Sequence, residues 1–173
     1  MSGQFTIVSY LAPTLREAFG ASSGEIAAMF AVFGVAGVAG NYLATRAVGW
    51  FGVDLAVLAS LLSLVIGVGL LGLFFGSYHW AIVAGIVWGL GSFSSNSLQQ
   101  SRLVAVAPAL AAATVALNTS AVYLGQSVGA AAGGFVIADG ITVDIAWTAT
   151  AFLVFATMIS IAASRLARRA IAA

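Results

Sequence analysis

Polar and apolar positions fall along this chain in long blocks, not in the alternation of a strand or the one-sided stripe of a soluble helix. Twenty uncharged residues separate Glu25 from Arg46, 24 separate Asp54 from His79, 22 separate His79 from Arg102, and 20 separate Asp144 from Arg165. The longest block, Leu103 to Ala138, runs 36 residues without a charge. A helix needs about 20 apolar residues to cross the hydrocarbon core of a bilayer, and a charge at mid-bilayer is costly. The blocks therefore predict five full spans, at about 24–46, 54–76, 80–102, 109–137 and 144–166. Residues 3–19 hold Pro13 and Arg16 and read as the later part of a sixth span whose first helix is truncated. The expected fold class is an all-α polytopic membrane helical bundle, a single unit over residues 1–173.

The 109–137 span is not uniformly apolar. Its core reads ALNTSAVYLGQSVGAAAGG, with Asn118, Thr119, Ser120, Tyr123, Gln126 and Ser127 followed by glycines at 125, 129 and 133. Small residues four apart let two backbones approach closely, so Gly125, Gly129 and Gly133 are expected to be a packing ridge, here against a partner bundle. At about 100° per residue, Thr119, Tyr123 and Gln126 lie within about 60° of one another, a stripe expected to wall a shared cavity. On the 80–102 span Trp88, Ser92, Ser95 and Gln99 share one face. Gly34, Gly37 and Gly40 are expected to pack the 24–46 span as the ridge does.

Composition agrees with the blocks. Hydrophobic residues make up 62% of the chain and charged residues 6%, with a mean hydropathy of +1.11, where soluble domains run near 45–50% apolar and 25% charged. The net charge of +1 is carried by dispersed arginines, so no nucleic-acid partner is expected. With the spans alternating, Arg46, Arg102, Arg165, Arg168 and Arg169 share one side, and Arg16, Glu17, Glu25, Asp139 and Asp144 share the other. The positive-inside rule then makes the five-arginine side, and the carboxyl terminus, cytoplasmic. The absence of cysteine and the lone His79, placed at a span boundary, leave no metal site, no cofactor and no enzyme to expect. No acid falls near the middle of any span, so a proton carrier would have to come from elsewhere.

The chain also repeats itself. Val53-Asp54-Leu55-Ala56 recurs as Val143-Asp144-Ile145-Ala146, and Ala31-Val32-Phe33 as Ala121-Val122-Tyr123, each at an offset of 90. Three spans separate the copies, so the second is inverted, a 3+3 arrangement found in secondary transporters.

Four passages carry a specific resemblance: Tyr10-Leu11-Ala12-Pro13, GNYLATRAVGWFGVD from Gly40, SNSLQQSRLVAVAPAL from Ser95, and LNTSAVYLGQSVGAAAGG from Leu117. The chain resembles the carboxyl-terminal half, helices seven to twelve, of a major facilitator superfamily transporter, and within it the bacterial drug:proton and sugar (arabinose)-efflux antiporter families. The resemblance implies the carboxyl-terminal half of a secondary active, proton-coupled efflux transporter of small organic solutes or drugs, in the inner or plasma membrane. Such a half is not expected to transport alone and implies an amino-terminal half or second copy as partner. A half-size transporter working as a homo- or heterodimer, and a non-transporting truncated membrane protein, stay open as alternatives. Candidate solute-binding residues are Tyr10, Trp88, Ser92, Ser95, Asn96, Asn118, Tyr123 and Gln126, with Trp88 as a stacking surface. The same polar residues would equally serve to hold helices together, at about 0.6 kcal/mol per bond. Arg46, Gly52 and Arg102 are assigned to cytoplasmic loops. Gly49 and Trp50 stand where the family usually repeats an acid and a base, which leaves no charge lock to expect there.

Overall fold

The computed structural model describes the backbone of residues 1–172 and the side chains of residues 1–166. Among the described residues there are seven α-helices and no strand: α1 (Ser2–Val8), α2 (Leu11–Phe19), α3 (Ser23–Phe51), α4 (Val53–Leu73), α5 (Tyr78–Val106), α6 (Ala111–Val136) and α7 (Asp144–Ala172). A 3-10 turn, Pro108–Leu110, leads into α6. The helices α3, α4, α5, α6 (with its leading turn) and α7 are each long and apolar enough to cross a membrane. The chain is a polytopic helical bundle.

The breaks have local causes. Pro13 has no N–H to give the Ser9 carbonyl and its ring crowds that group, so α1 ends at Val8 and Tyr10 (φ −121°, ψ 12°) turns the chain into α2. At the end of α2, Gly20 takes the left-handed conformation (φ 66°) while Ala21 N–H reaches back to Leu15 O at 3.0 Å. Ser22 then caps α3 in a reciprocal box. Its hydroxyl accepts from Glu25 N–H (3.3 Å), and the Glu25 carboxylate accepts from Ser22 N–H (2.8 Å). A single residue, Gly52 at φ 81°, joins α3 to α4.

The helices α3 and α5 each run 29 residues, about 43 Å at 1.5 Å per residue, and continue past Arg46 and Arg102. The arginines at which the sequence ended these spans do not end the helices. Arg102 accordingly sits inside α5 and Arg46 inside α3, not in loops.

Helix α5 is the centre of one cluster, packed on α3 and α4; α1 is the centre of the other, packed on α6 and α7; α4 and α7 join the two. Exchanging α1, α3 and α4 for α5, α6 and α7 carries these pairings into one another. The closest approaches follow the same exchange. Gly3 leaves room for the Ala149 carbonyl and Leu153, as Gly91 does for the Ser60 carbonyl and Leu64. Gly129 admits the Ser2 backbone, as Gly40 admits the backbone of Leu90. Gly3 and Gly91, and Ser2 and Leu90, are 88 positions apart; Leu64 and Leu153, and Gly40 and Gly129, are 89 apart. That is within two residues of the offset read from the sequence.

Two sequence expectations about glycine are corrected. The ridge of α6 does not face a partner bundle: Gly125 packs on Met1 and Ser2, Gly129 on Ser2, and Gly133 on Thr6 and the Tyr10 ring, all in the same chain. Steps of four drift only about 40° per pair around a helix, so all three stay on α1. In α3, Gly37 receives the Phe93 ring and Gly40 the Leu90 backbone, but a Cβ at Gly34 would meet nothing within 4 Å. Steps of three drift about 60° the other way, and by Gly34 the face has turned off α5.

Candidate solute-binding cavity

Between the two clusters lies a cavity of about 310 Å³. Gln4 of α1, Ser95, Asn96 and Gln99 of α5, and Asn118 of α6 give it a polar side; Leu61, Leu64, Leu153 and Ala156 of α4 and α7 give it an apolar side. None of these side chains is charged. The polar groups meet in pairs across helices. Asn118 Nδ2 donates to Asn96 Oδ1 at 3.1 Å, joining α6 to α5. Ser92 Oγ donates to Gln4 Oε1, joining α5 to α1. Ser95 turns its hydroxyl back to the Ser92 carbonyl (2.9 Å), which spares it an unpaired donor in an apolar setting.

Four of the eight sequence candidates gather here: Ser95, Asn96 and Asn118 in the wall, and Ser92 behind Gln4. The other four do not. Trp88 is 1% exposed, edge-on to Phe33 (centroids 4.8 Å apart) and pressed on Gly67, and its indole N–H has no partner. It shares the helical stripe of Ser92 but sits deep between α3 and α4, so it offers no stacking surface to the cavity. Tyr10 is spent on packing: its hydroxyl donates to Ala130 O at 2.9 Å while its ring fills the notch left by Gly133 and Gly134. Tyr123 is 64% exposed on the far face of α6. Gln126, half-buried, does not line the cavity.

The sequence reading passed over Gln4 and did not assign Gln99, although Gln99 lies on the Ser92–Ser95 stripe. Gln4 follows a Ser-Gly pair at the start of the chain, where no periodicity precedes it to mark a face. Its signal was chemical: a long amide side chain in an apolar helix needs a partner.

A second polar group closes the arginine-bearing end. Arg102 Nη1 donates to Ser160 Oγ (3.1 Å) and Ser164 Oγ (2.9 Å), and Ser164 Oγ lies 3.5 Å from Asp54 Oδ1. These bonds tie α5, α7 and α4 together. Arg46 instead lies over Tyr42, 5.4 Å from the ring centroid, with Nη2 donating to its hydroxyl at 2.9 Å. The side chains of Arg168 and Arg169 lie outside the described residues. Among the described residues no three His, Asp or Glu side chains gather as metal ligands would.

No protein-family model matches the chain, and no solved structure matches it closely enough to bear on the fold. Curated transport proteins do match. An uncharacterized MFS-type transporter of Bacillus subtilis, YbcL, is 24% identical over 161 residues, 93% of this chain and 41% of the relative. The inner membrane transport protein YdhP of Escherichia coli is 32% identical over 141 residues, 79% of this chain and 35% of the relative. A probable sugar efflux transporter of Helicobacter pylori is 32% identical over 138 residues, 79% of this chain and 35% of the relative. The chain thus spans between 35% and 41% of the length of the relatives it matches. The resemblance read from the sequence is borne out: the chain is similar to an MFS-type transporter and to inner-membrane and sugar-efflux transport proteins over a stretch somewhat shorter than one half of their length.

Proposed function

We propose that the chain is the carboxyl-terminal half of a solute transporter of the major facilitator type and supplies one wall of its transport path. The observation that carries this reading is the cavity itself, with uncharged amides and hydroxyls along one side, set at the junction of the two three-helix clusters. Substrate sites of such transporters lie near the bilayer midplane where inverted repeats meet. Uncharged donors and acceptors suit a neutral or zwitterionic solute, and the sugar in the name of the Helicobacter pylori relative is of that kind. The arginine-bearing end is cytoplasmic by the positive-inside rule.

The second wall comes from an amino-terminal half. Helix α6 supports this: apart from Gly129 and Gly133 it buries none of its residues within the chain. Its outer face carries Thr119, Ser120, Tyr123 and Ser127, polar groups that a protein surface accommodates better than lipid does. Among the described residues no carboxylate lines the cavity, so proton coupling, and with it the direction of efflux, is assigned to that partner.

Arabinose counterflow in membrane vesicles from cells expressing the gene at its own locus tests the reading. The expected result is counterflow that disappears with Asn96→Leu and that the purified chain alone, in liposomes, does not support. Equal flux with and without the gene overturns transport. Flux from the purified chain running as a dimer favours the half-size transporter instead.

A further inference from the structure

Gln4 is 5% exposed, and the two ends of its amide are matched unequally. The carbonyl oxygen accepts from Ser92 Oγ. The nitrogen, with two N–H donors, has only the Met1 thioether sulfur at 4.0 Å, and a thioether is a weak acceptor. The other amide pair differs: Asn96 and Asn118 spend a donor and an acceptor on each other. Buried donors left this poorly matched are uncommon, and this one borders a cavity large enough for a small solute.

From this we infer that Gln4 is a specificity-determining residue of the cavity. Its amide N–H groups take an acceptor oxygen of an uncharged solute, and Ser92 acts as a positioning residue. As bonded here, Ser92 holds the amide oxygen and leaves the nitrogen to the weaker contact with Met1. Without that bond the amide is free to rotate and present its oxygen. A donor pair with no carboxylate beside it selects for hydroxyl, ether or carbonyl oxygens and gives a cation nothing to pair with. The inference rests on the reading of the cavity as a solute site.

The chain has no cysteine, so Ser95→Cys reports on the cavity alone. The probes are arabinose, a neutral polyol, and tetraphenylphosphonium, an apolar cation. Maleimide labelling of Ser95→Cys is followed in native membranes containing the full chain, with each probe titrated. Arabinose is expected to slow labelling and tetraphenylphosphonium to leave it unchanged. Adding Gln4→Leu should raise the half-protecting arabinose concentration about tenfold, the worth of one buried hydrogen bond. Gln4→Glu keeps the size of the side chain and an acceptor for Ser92 but removes the N–H donors; it should show the same loss, which separates recognition from a disturbed fold. Ser92→Ala should raise the concentration about threefold, a smaller change than loss of the donor itself, and Ser92→Thr should restore it. Arabinose protection that is equal with Gln4, Gln4→Leu and Gln4→Glu overturns the role of Gln4 and leaves the cavity reading standing. Failure of arabinose to protect Ser95→Cys even with Gln4 present overturns both.

Discussion

The two faces of α6 are built from the same alphabet and do opposite things. One face carries Gly125, Gly129 and Gly133 and is seated on α1, at Gly129 and Gly133 so closely that no side chain fits between the backbones. Asn118 lies on this face too, about 20° from Gly125, and bonds to α5. The other face carries Thr119, Ser120, Tyr123 and Ser127, all exposed. Its Thr119, Ser120 and Ser127 hydroxyls return to carbonyls of their own helix at 3.0 to 3.2 Å. In a membrane, apolar burial gives no net drive between helices and close packing takes its place. The glycine face is therefore where the chain holds itself together. The polar face is where it has something still to meet.

Substitutions on the two faces should separate these roles. The largest effect is expected from Gly129→Leu: the Ser2 backbone occupies the space a side chain would need, so α1 and α6 must part, at a cost of about 3 kcal/mol or more. Unfolding in detergent or bicelles would read it. A loss near zero would show that α6 is not seated on α1. Arg102→Gln comes next, since it weakens the two bonds to Ser160 and Ser164, with about 1–3 kcal/mol expected for hydrogen bonds to a charged group. Asn118→Ala should cost about 0.6 kcal/mol and speed maleimide labelling of Ser95→Cys by freeing the α5–α6 seam. Smallest of all, Ser127→Ala should leave the stability of the chain unchanged to within about 0.5 kcal/mol. A cost like that of Gly129→Leu would erase the distinction between the faces.

The sequence reached the bundle because charge spacing and bilayer thickness act at the same scale. It reached half of the cavity, too: Ser92, Ser95, Asn96 and Asn118 could be picked out as polar residues in apolar helices. It could not tell the faces of α6 apart. Wheel angles group Thr119, Tyr123 and Gln126, but which face meets α1 depends on a partner helix only seven residues long. Trp88 was misread for a related reason. Its stripe is real, yet one turn along α5 the neighbours change from α1 to α3 and α4, and burial replaces access. Gly34 fell to helical drift, which a three-residue spacing accumulates and a list of glycines conceals.

Tyr123 and Phe155 are almost equally bare in the chain, at 64% and 63% exposed. Phe155, an apolar ring left bare on α7, suits lipid; Tyr123 lies on the face of α6 assigned to a second bundle. With no native cysteine in the chain, each can be replaced by Cys and spin-labelled in native membranes, and the collision rate of the label with oxygen dissolved in lipid compared. The account predicts a label at position 123 several-fold less accessible than one at position 155, with the difference lost when the purified chain is diluted alone into lipid. Equal accessibility in native membranes would mean that α6 faces lipid and that the chain is not half of an interface.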